Sequence, residues 1–276
     1  MRAFYALRSA LFVLFMAVTV VPWALLVMVV ALFGRSDRVY WLCVSWLTLS
    51  IWGAKVICGV HARLHGMENL PDSPVVLCPK HQSTWETFAL PGLMPRPLCF
   101  VFKRELLYIP FFGWAMARMD MIHIDRSKRA QAWKMVAQQG KKFMAKGHWI
   151  IMFPEGTRAA RGERGTYKSG GTRLAIASGN PVVPIAVTSA RCWPRKSFVL
   201  VPGVIDVSVG KPISSVGRRP DELMLEVETW IETEMQRLDP EAYPAAPPAA
   251  PPAAPPAAPP AVPPAEPTAA FVPVAR

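Results

Sequence analysis

Proton-transfer chemistry is concentrated in one short stretch, Lys80-His81-Gln82-Ser83-Thr84-Trp85-Glu86. An imidazole takes a proton near neutral pH, and a carboxylate at its other nitrogen would fix the tautomer and stabilise the imidazolium. Within one continuous helix, residues five apart diverge by about 140°. If His81 precedes a helix start and Glu86 folds back, the two can meet. The plainer reading is that Ser83-x-x-Glu86 is a capping box and His81 a polar loop residue. Cationic and turn-forming residues recur downstream, in Lys103-Arg104-Glu105 and Phe153-Pro154-Glu155-Gly156-Thr157-Arg158. Together they suit a hydroxyl substrate that carries an anionic group.

The elements that would position these residues are strands. The apolar run Val75-Val76-Leu77-Cys78 predicts a buried strand ending just before His81, and Phe88, Ala89 and Leu90 predict the helix after it. Strands are expected at Leu98–Phe102, Met121–Ile124, Trp149–Phe153, Val182–Val187, Phe198–Val201 and Ile205–Val209. Helices are expected at 129–146, 172–178 and 221–238. This alternation predicts an α/β fold, a mixed sheet flanked by helices, with ligands bound beyond the strand ends. His61 and His65 lie four residues apart along a further strand, about 13 Å, too far to share a metal ion, and read as solvent-facing.

Composition narrows the partners. A net charge of +12 points to an anionic partner, while 52% hydrophobic residues and a mean hydropathy of +0.23 point to a membrane. Zinc-finger spacing, an RNA-binding aromatic signature and a basic heptad run are all missing, so nucleic acid is not the expected partner. The five scattered cysteines, without CxxC or Cys/His spacing, read as reduced thiols on the cytosolic side. There is no Gly-x-Ser-x-Gly elbow, Walker lysine or dinucleotide fingerprint.

Three segments follow. Residues 1–58 contain two uncharged runs, 9–34 and 39–54, the second rich in tryptophan. Positive charge flanks the first run on both sides, which favours a hydrophobic helical hairpin entering and leaving the cytoplasmic leaflet over a simple span. Residues 59–240 form the expected catalytic domain. From 241 to 276 the chain is a Pro/Ala-rich tail that cannot form a packed core.

The order of these motifs resembles the phospholipid/glycerol acyltransferase family, and specifically its lysophosphatidic acid acyltransferases. His81 through Glu86 resembles the family's His-x4-Asp motif, with glutamate in place of aspartate. Lys103 through Gly113 resembles the second motif, residues 153–158 the third, and Val183-Pro184-Ile185 the fourth. The resemblance implies that His81 is the base and Glu86 its partner. It implies that Lys103, Arg158, Arg126 and Lys168 bind substrate phosphate, and that Glu155, Gly156, Thr157 and Pro184 shape the site. It further implies acyl transfer from an acyl-CoA or acyl carrier protein thioester to a lysophospholipid at the inner membrane's cytoplasmic face, with no metal or resident cofactor. Other readings are acyl transfer to another lysolipid such as lyso-ornithine lipid, a degenerate membrane lipid-binding protein, and a hydrolase in which water replaces the alcohol.

Overall fold

Short β-branched and aromatic runs separated by amphipathic helices give a seven-stranded mixed sheet in the computed structural model, which describes residues 1–34, 36–109, 112–124 and 129–244. The strands are β1 (Val60–His65), β2 (Val76–Pro79), β3 (Leu98–Lys103), β4 (Ile122–Ile124), β5 (Trp149–Ile151), β6 (Val182–Val187) and β7 (Gly203–Val209), in the spatial order β1-β7-β6-β2-β5-β3-β4. From β6 to β4 every neighbouring pair is parallel; only β6 and β7 run antiparallel. The carboxyl ends of β2, β5 and β3 therefore lie side by side along one edge.

The central strands are apolar on both faces because both faces are covered. Leu77, Leu98, Ile151 and Ile185 pack on one side with Trp85 and Leu90 of α3 (Trp85–Leu93). Val76, Ile150 and Val182 pack on the other with Leu174 of α6 (Gly170–Ser178) and Val227 and Ile231 of α7 (Pro220–Leu238). Helices α4 (Phe112–Arg118) and α5 (Arg129–Ala145) flank β4 in sequence.

The amino end is α1 (Arg2–Phe33) and α2 (Ser36–Gly53), the latter running on into a π-helical turn, Ala54–Cys58. Contacts descend one helix as they climb the other. The Trp23 indole donates to the Leu42 carbonyl (3.1 Å), Trp46 to Thr19 (3.2 Å), and Phe15 meets Trp52. The two helices thus form an antiparallel hairpin. Both are long and apolar enough to cross a membrane. Leu7, Leu11, Leu14, Val18, Val21 and Leu25 make an exposed stripe at three- and four-residue spacing along α1. The inner side docks on the sheet layer: buried Phe12 meets Trp193 edge-on, and the Tyr40 hydroxyl accepts the Leu98 N–H (2.8 Å).

Two local expectations need correction. Residues 198–201 form no strand; Leu200 donates its N–H to Ser9 Oγ of the first helix and Val201 donates to the Cys192 carbonyl. His61 is exposed, but His65 is not simply solvated, since its Nε2 lies 2.9 Å from buried Asp206 on β7. The Pro/Ala tail from residue 245 lies outside the described residues.

Candidate active site

The ladder of β2 carries on one residue beyond the strand, the Lys80 N–H donating to the Ile185 carbonyl (2.8 Å), and the chain then leaves the sheet at His81. The turn after β5 clamps the His81 backbone from both directions. Its N–H donates to Glu155 Oε2 (2.7 Å), and its carbonyl accepts the Ala159 N–H (2.8 Å). The imidazole stacks on Phe153, with ring centroids 3.9 Å apart and 22° between planes. The side chain keeps 12% exposure, while Nδ1 is buried without a hydrogen-bond partner and faces Glu86 Oε2 at 3.7 Å.

That distance is an ion-pair approach, too long for a hydrogen bond. Glutamate's extra methylene lets the carboxylate fold back onto its own turn. It accepts the N–H groups of Gln82 (2.9 Å) and Ser83 (3.0 Å) and the Ser189 hydroxyl (2.5 Å), while Ser83 Oγ accepts the Trp85 N–H (2.9 Å). The Glu86 half of the expected capping box is present, with Ser83 Oγ taking the Trp85 N–H in place of Glu86's, and it holds a fully buried carboxylate beside the imidazole.

Lys103 ends β3 and is exposed. Arg158 is half-buried in the turn after β5, and its carbonyl accepts from the Arg195 guanidinium. Gly156 has φ +67°, a conformation that favours glycine, and a Cβ there would lie 3.0 Å from Lys168 Nζ. Lys168 is exposed, its N–H held by the Pro154 carbonyl (2.9 Å); Thr157 is exposed as well. His81, the 153–158 turn and Lys103 thus line one sheet edge, in the order of their strands. Pro184 is not part of that edge. It lies within β6 opposite Cys78, three positions short of His81, where the β7 ladder gives out and no N–H is needed. Arg126 lies outside the described residues.

Sequence reasoning assigned no role to Lys80, Gln82, Phe153 or Ser189. Lys80 is wholly buried, its ammonium 3.0 Å from Glu155 and 2.6 Å from Glu232, and the Gln82 amide donates to the Tyr243 hydroxyl (2.5 Å). Burial raises the Glu155 carboxyl above its ordinary value, with Lys80 and the His81 N–H pulling it back. Burial works to lower Lys80, but Glu155 and Glu232 prevail and it is raised, so the ammonium stays charged. Two hollows, one of about 280 Å³ beside Phe102 and Met121 and one of about 640 Å³ beside Lys211 and Trp230, are not lined by His81. Among the described residues no group of three or more His, Cys, Asp or Glu is arranged to hold a metal ion.

A strand-end histidine with a buried carboxylate and a cationic turn is the arrangement of an acyl-transfer enzyme, and residues 61–188 match the Acyltransferase family model. The chain is 39% identical over 244 residues to the 1-acyl-sn-glycerol-3-phosphate acyltransferase of Pseudomonas aeruginosa, covering 87% of this chain and 95% of that protein. It is 30% identical over 225 residues to the enzyme of that name from Saccharomyces cerevisiae, covering 80% and 73%. The crystal structure of the 1-acyl-sn-glycerophosphate acyltransferase from Thermotoga maritima shares the fold, with a TM-score of 0.71 at 23% identity over 86% of this chain and 98% of that one. The chain belongs to the 1-acyl-sn-glycerol-3-phosphate acyltransferase family.

Proposed function

We propose that the protein transfers an acyl chain from an acyl thioester to the free hydroxyl of 1-acyl-sn-glycerol 3-phosphate, giving phosphatidic acid for phospholipid biosynthesis. The observation that carries this reading is His81, a strand-end imidazole with one nitrogen shut in against Glu86 and the ring still open to the surface. Nδ1 carries its proton toward Glu86, leaving Nε2 free as the base. Nε2 takes the hydroxyl proton as that oxygen attacks the thioester carbonyl. The tetrahedral intermediate expels the thiolate, breaking the C–S bond, and the imidazolium returns the proton to sulfur. Glu86 stabilises the transient imidazolium by charge at 3.7 Å.

Lys103, Arg158 and Lys168 hold the acceptor's phosphate, Arg158 by a forked contact. Coenzyme A and acyl carrier protein both present the thioester this chemistry needs, and no resident metal or cofactor takes part. The exposed α1 stripe seats the hairpin in the cytoplasmic leaflet of the inner membrane, with the catalytic sheet on the cytoplasmic side. Each methylene of the lysolipid chain kept on apolar surface saves about 0.8 kcal/mol.

The decisive variant is His81→Ala, assayed by product analysis with and without lysophosphatidate. Ester formation should fall about 10²–10⁴-fold while the protein stays with the membrane. Near-normal turnover would sink the mechanism, and release of free fatty acid by the wild type would mark a hydrolase instead. Cysteine labelling in sealed vesicles tests the hairpin: a probe at positions 35–38 should react from the same side as one in the catalytic domain. Reaction from the far side only would mean a span.

A further inference from the structure

Lys80 immediately precedes His81 and is completely closed to solvent. Its ammonium meets three acceptors: Glu155 Oε1 at 3.0 Å, Glu232 Oε1 on α7 at 2.6 Å, and the Glu163 carbonyl at 3.2 Å. The contacts to Glu232 and the Glu163 carbonyl are hydrogen bonds, and the contact to Glu155 Oε1, which has no hydrogen-bond partner among the described residues, is an ion pair. The Tyr167 hydroxyl donates to the same Glu232 oxygen (2.7 Å). Glu155's other oxygen accepts the His81 N–H (2.7 Å). An unbroken chain of charged contacts therefore runs from α7 through Lys80 and Glu155 to the backbone of the base. Dehydrating an ammonium is costly, and an apolar side chain of the same length would fill the space without that cost.

We propose that Lys80 is a positioning residue for acyl transfer: it keeps Glu155 ionised in a dry turn, and so fixes the backbone of His81 and the charge its imidazole feels. This rests on the reading of His81 as the base. The groups facing Glu155 are Lys80 and His81 from the end of β2, Tyr167 from the loop before α6 and Tyr243 beyond α7, while Lys80 also faces Glu232 of α7. Lys80 is shared between two carboxylates. Removing one of them frees it for the other, and removing Lys80 leaves both uncompensated.

The test is the pH dependence of kcat, measured on the full-length protein in phospholipid vesicles with lysophosphatidate and acyl-CoA. Lys80→Met strips Glu155 of its cation, so the acid limb should move to higher pH by about 1–3 units, with kcat down roughly 10- to 100-fold and little change in KM. Glu232→Gln leaves the ammonium to Glu155 alone, and its acid limb should move the opposite way. In Lys80→Met/Glu155→Gln the amide oxygen still accepts the His81 N–H but cannot titrate, so the shift should vanish and part of the rate return. Acid limbs in both single variants that coincide with the wild type would overturn the proposal and leave Lys80 a packing residue. If Lys80→Met does not fold, the direction of the Glu232→Gln shift decides by itself. His81→Ala is measured in parallel: substantial turnover there refutes the base assignment, whereas unshifted limbs beside an inactive His81→Ala refute only the role of Lys80.

Discussion

Two buried carboxylates flank His81, and they are satisfied by opposite means. In the turn after β2, Glu86 accepts backbone N–H groups of Gln82 and Ser83 and the Ser189 hydroxyl, all neutral donors and mostly from its own helix start. In the turn after β5, Glu155 faces an ammonium and accepts the N–H of the base itself. The first is held by local geometry and points at the ring. The second is held by charge brought from a distant helix and grips the backbone. Orientation of the imidazole and placement of its Cα are thus delegated to different parts of the chain, so each can be disturbed without the other.

The largest effect expected from separating them comes from Glu86→Gln. An amide offers one acceptor where the carboxylate offers two, and its NH₂ would confront donors. Each buried group left unsatisfied costs about 1–3 kcal/mol, so stability should fall together with rate. We expect kcat about 10²–10⁴-fold lower with a reduced melting temperature, since the imidazolium loses its counter-charge as well. Glu155→Gln should cost less, because its amide oxygen still accepts the His81 N–H and Lys80 keeps Glu232. Parallel kcat and melting measurements on the two variants decide. If Glu155→Gln proves the more damaging for rate, ring orientation is governed from the β5 turn and the division drawn above is wrong.

A smaller effect isolates the other duty of the β5 turn. Arg158 follows the Gly156 bend in the turn after β5 and is half-buried. Arg158→Ala should raise KM for the phosphorylated acceptor about ten- to a hundred-fold, as expected for loss of a charge-assisted bond of roughly 1.5–3 kcal/mol. The thioester's KM should scarcely move. Initial rates with each substrate varied in turn distinguish the sites, and a change confined to the thioester would put Arg158 on the donor side.

What could be read from sequence follows the same division. The Glu86 side is local: Ser83-x-x-Glu86, the strand before it and the helix after it all lie between Val76 and Leu93, and the structure has a strand and a helix there. The glycine turn at 153–158 and the hairpin were legible for the same reason. The Glu155 side needed the sheet order. Nothing in the local sequence marks Lys80, and only the packing of α7 and of the turn after β5 makes it a buried cation with two acidic partners. Ser189 and Tyr243 reach the site from 103 and 161 residues beyond their partners. His65 was misread because Asp206, its partner, is contributed by a strand 141 residues on.

Asp206 supplies a third buried carboxylate, satisfied by cations like Glu155 but remote in sequence from His81. It accepts Arg63 at 2.6 and 3.1 Å and lies 2.9 Å from His65, both on β1. Burial works to raise its carboxyl, yet the bonds from Arg63 and His65 prevail and hold it below the ordinary carboxylate range. A depressed folded-state value means stability that is fully present above the unfolded pKa, about 3.9, and lost as pH falls through the folded one. Asp206→Asn should therefore lower the melting temperature at neutral pH, and the gap from wild type should close in acid as the native carboxyl takes its proton. Arg63 is 62% exposed and water screens the pair, so the expected drop is modest, about 2–4 °C. The rate should be unchanged. A fall in kcat would carry a definite meaning, because Asp206 also lies 3.9 Å from Arg191, in the turn that supplies Ser189 to Glu86. In that event the cation-satisfied cluster on β7 would be part of what holds Glu86, and the contrast between the two sides of His81 would have to be redrawn.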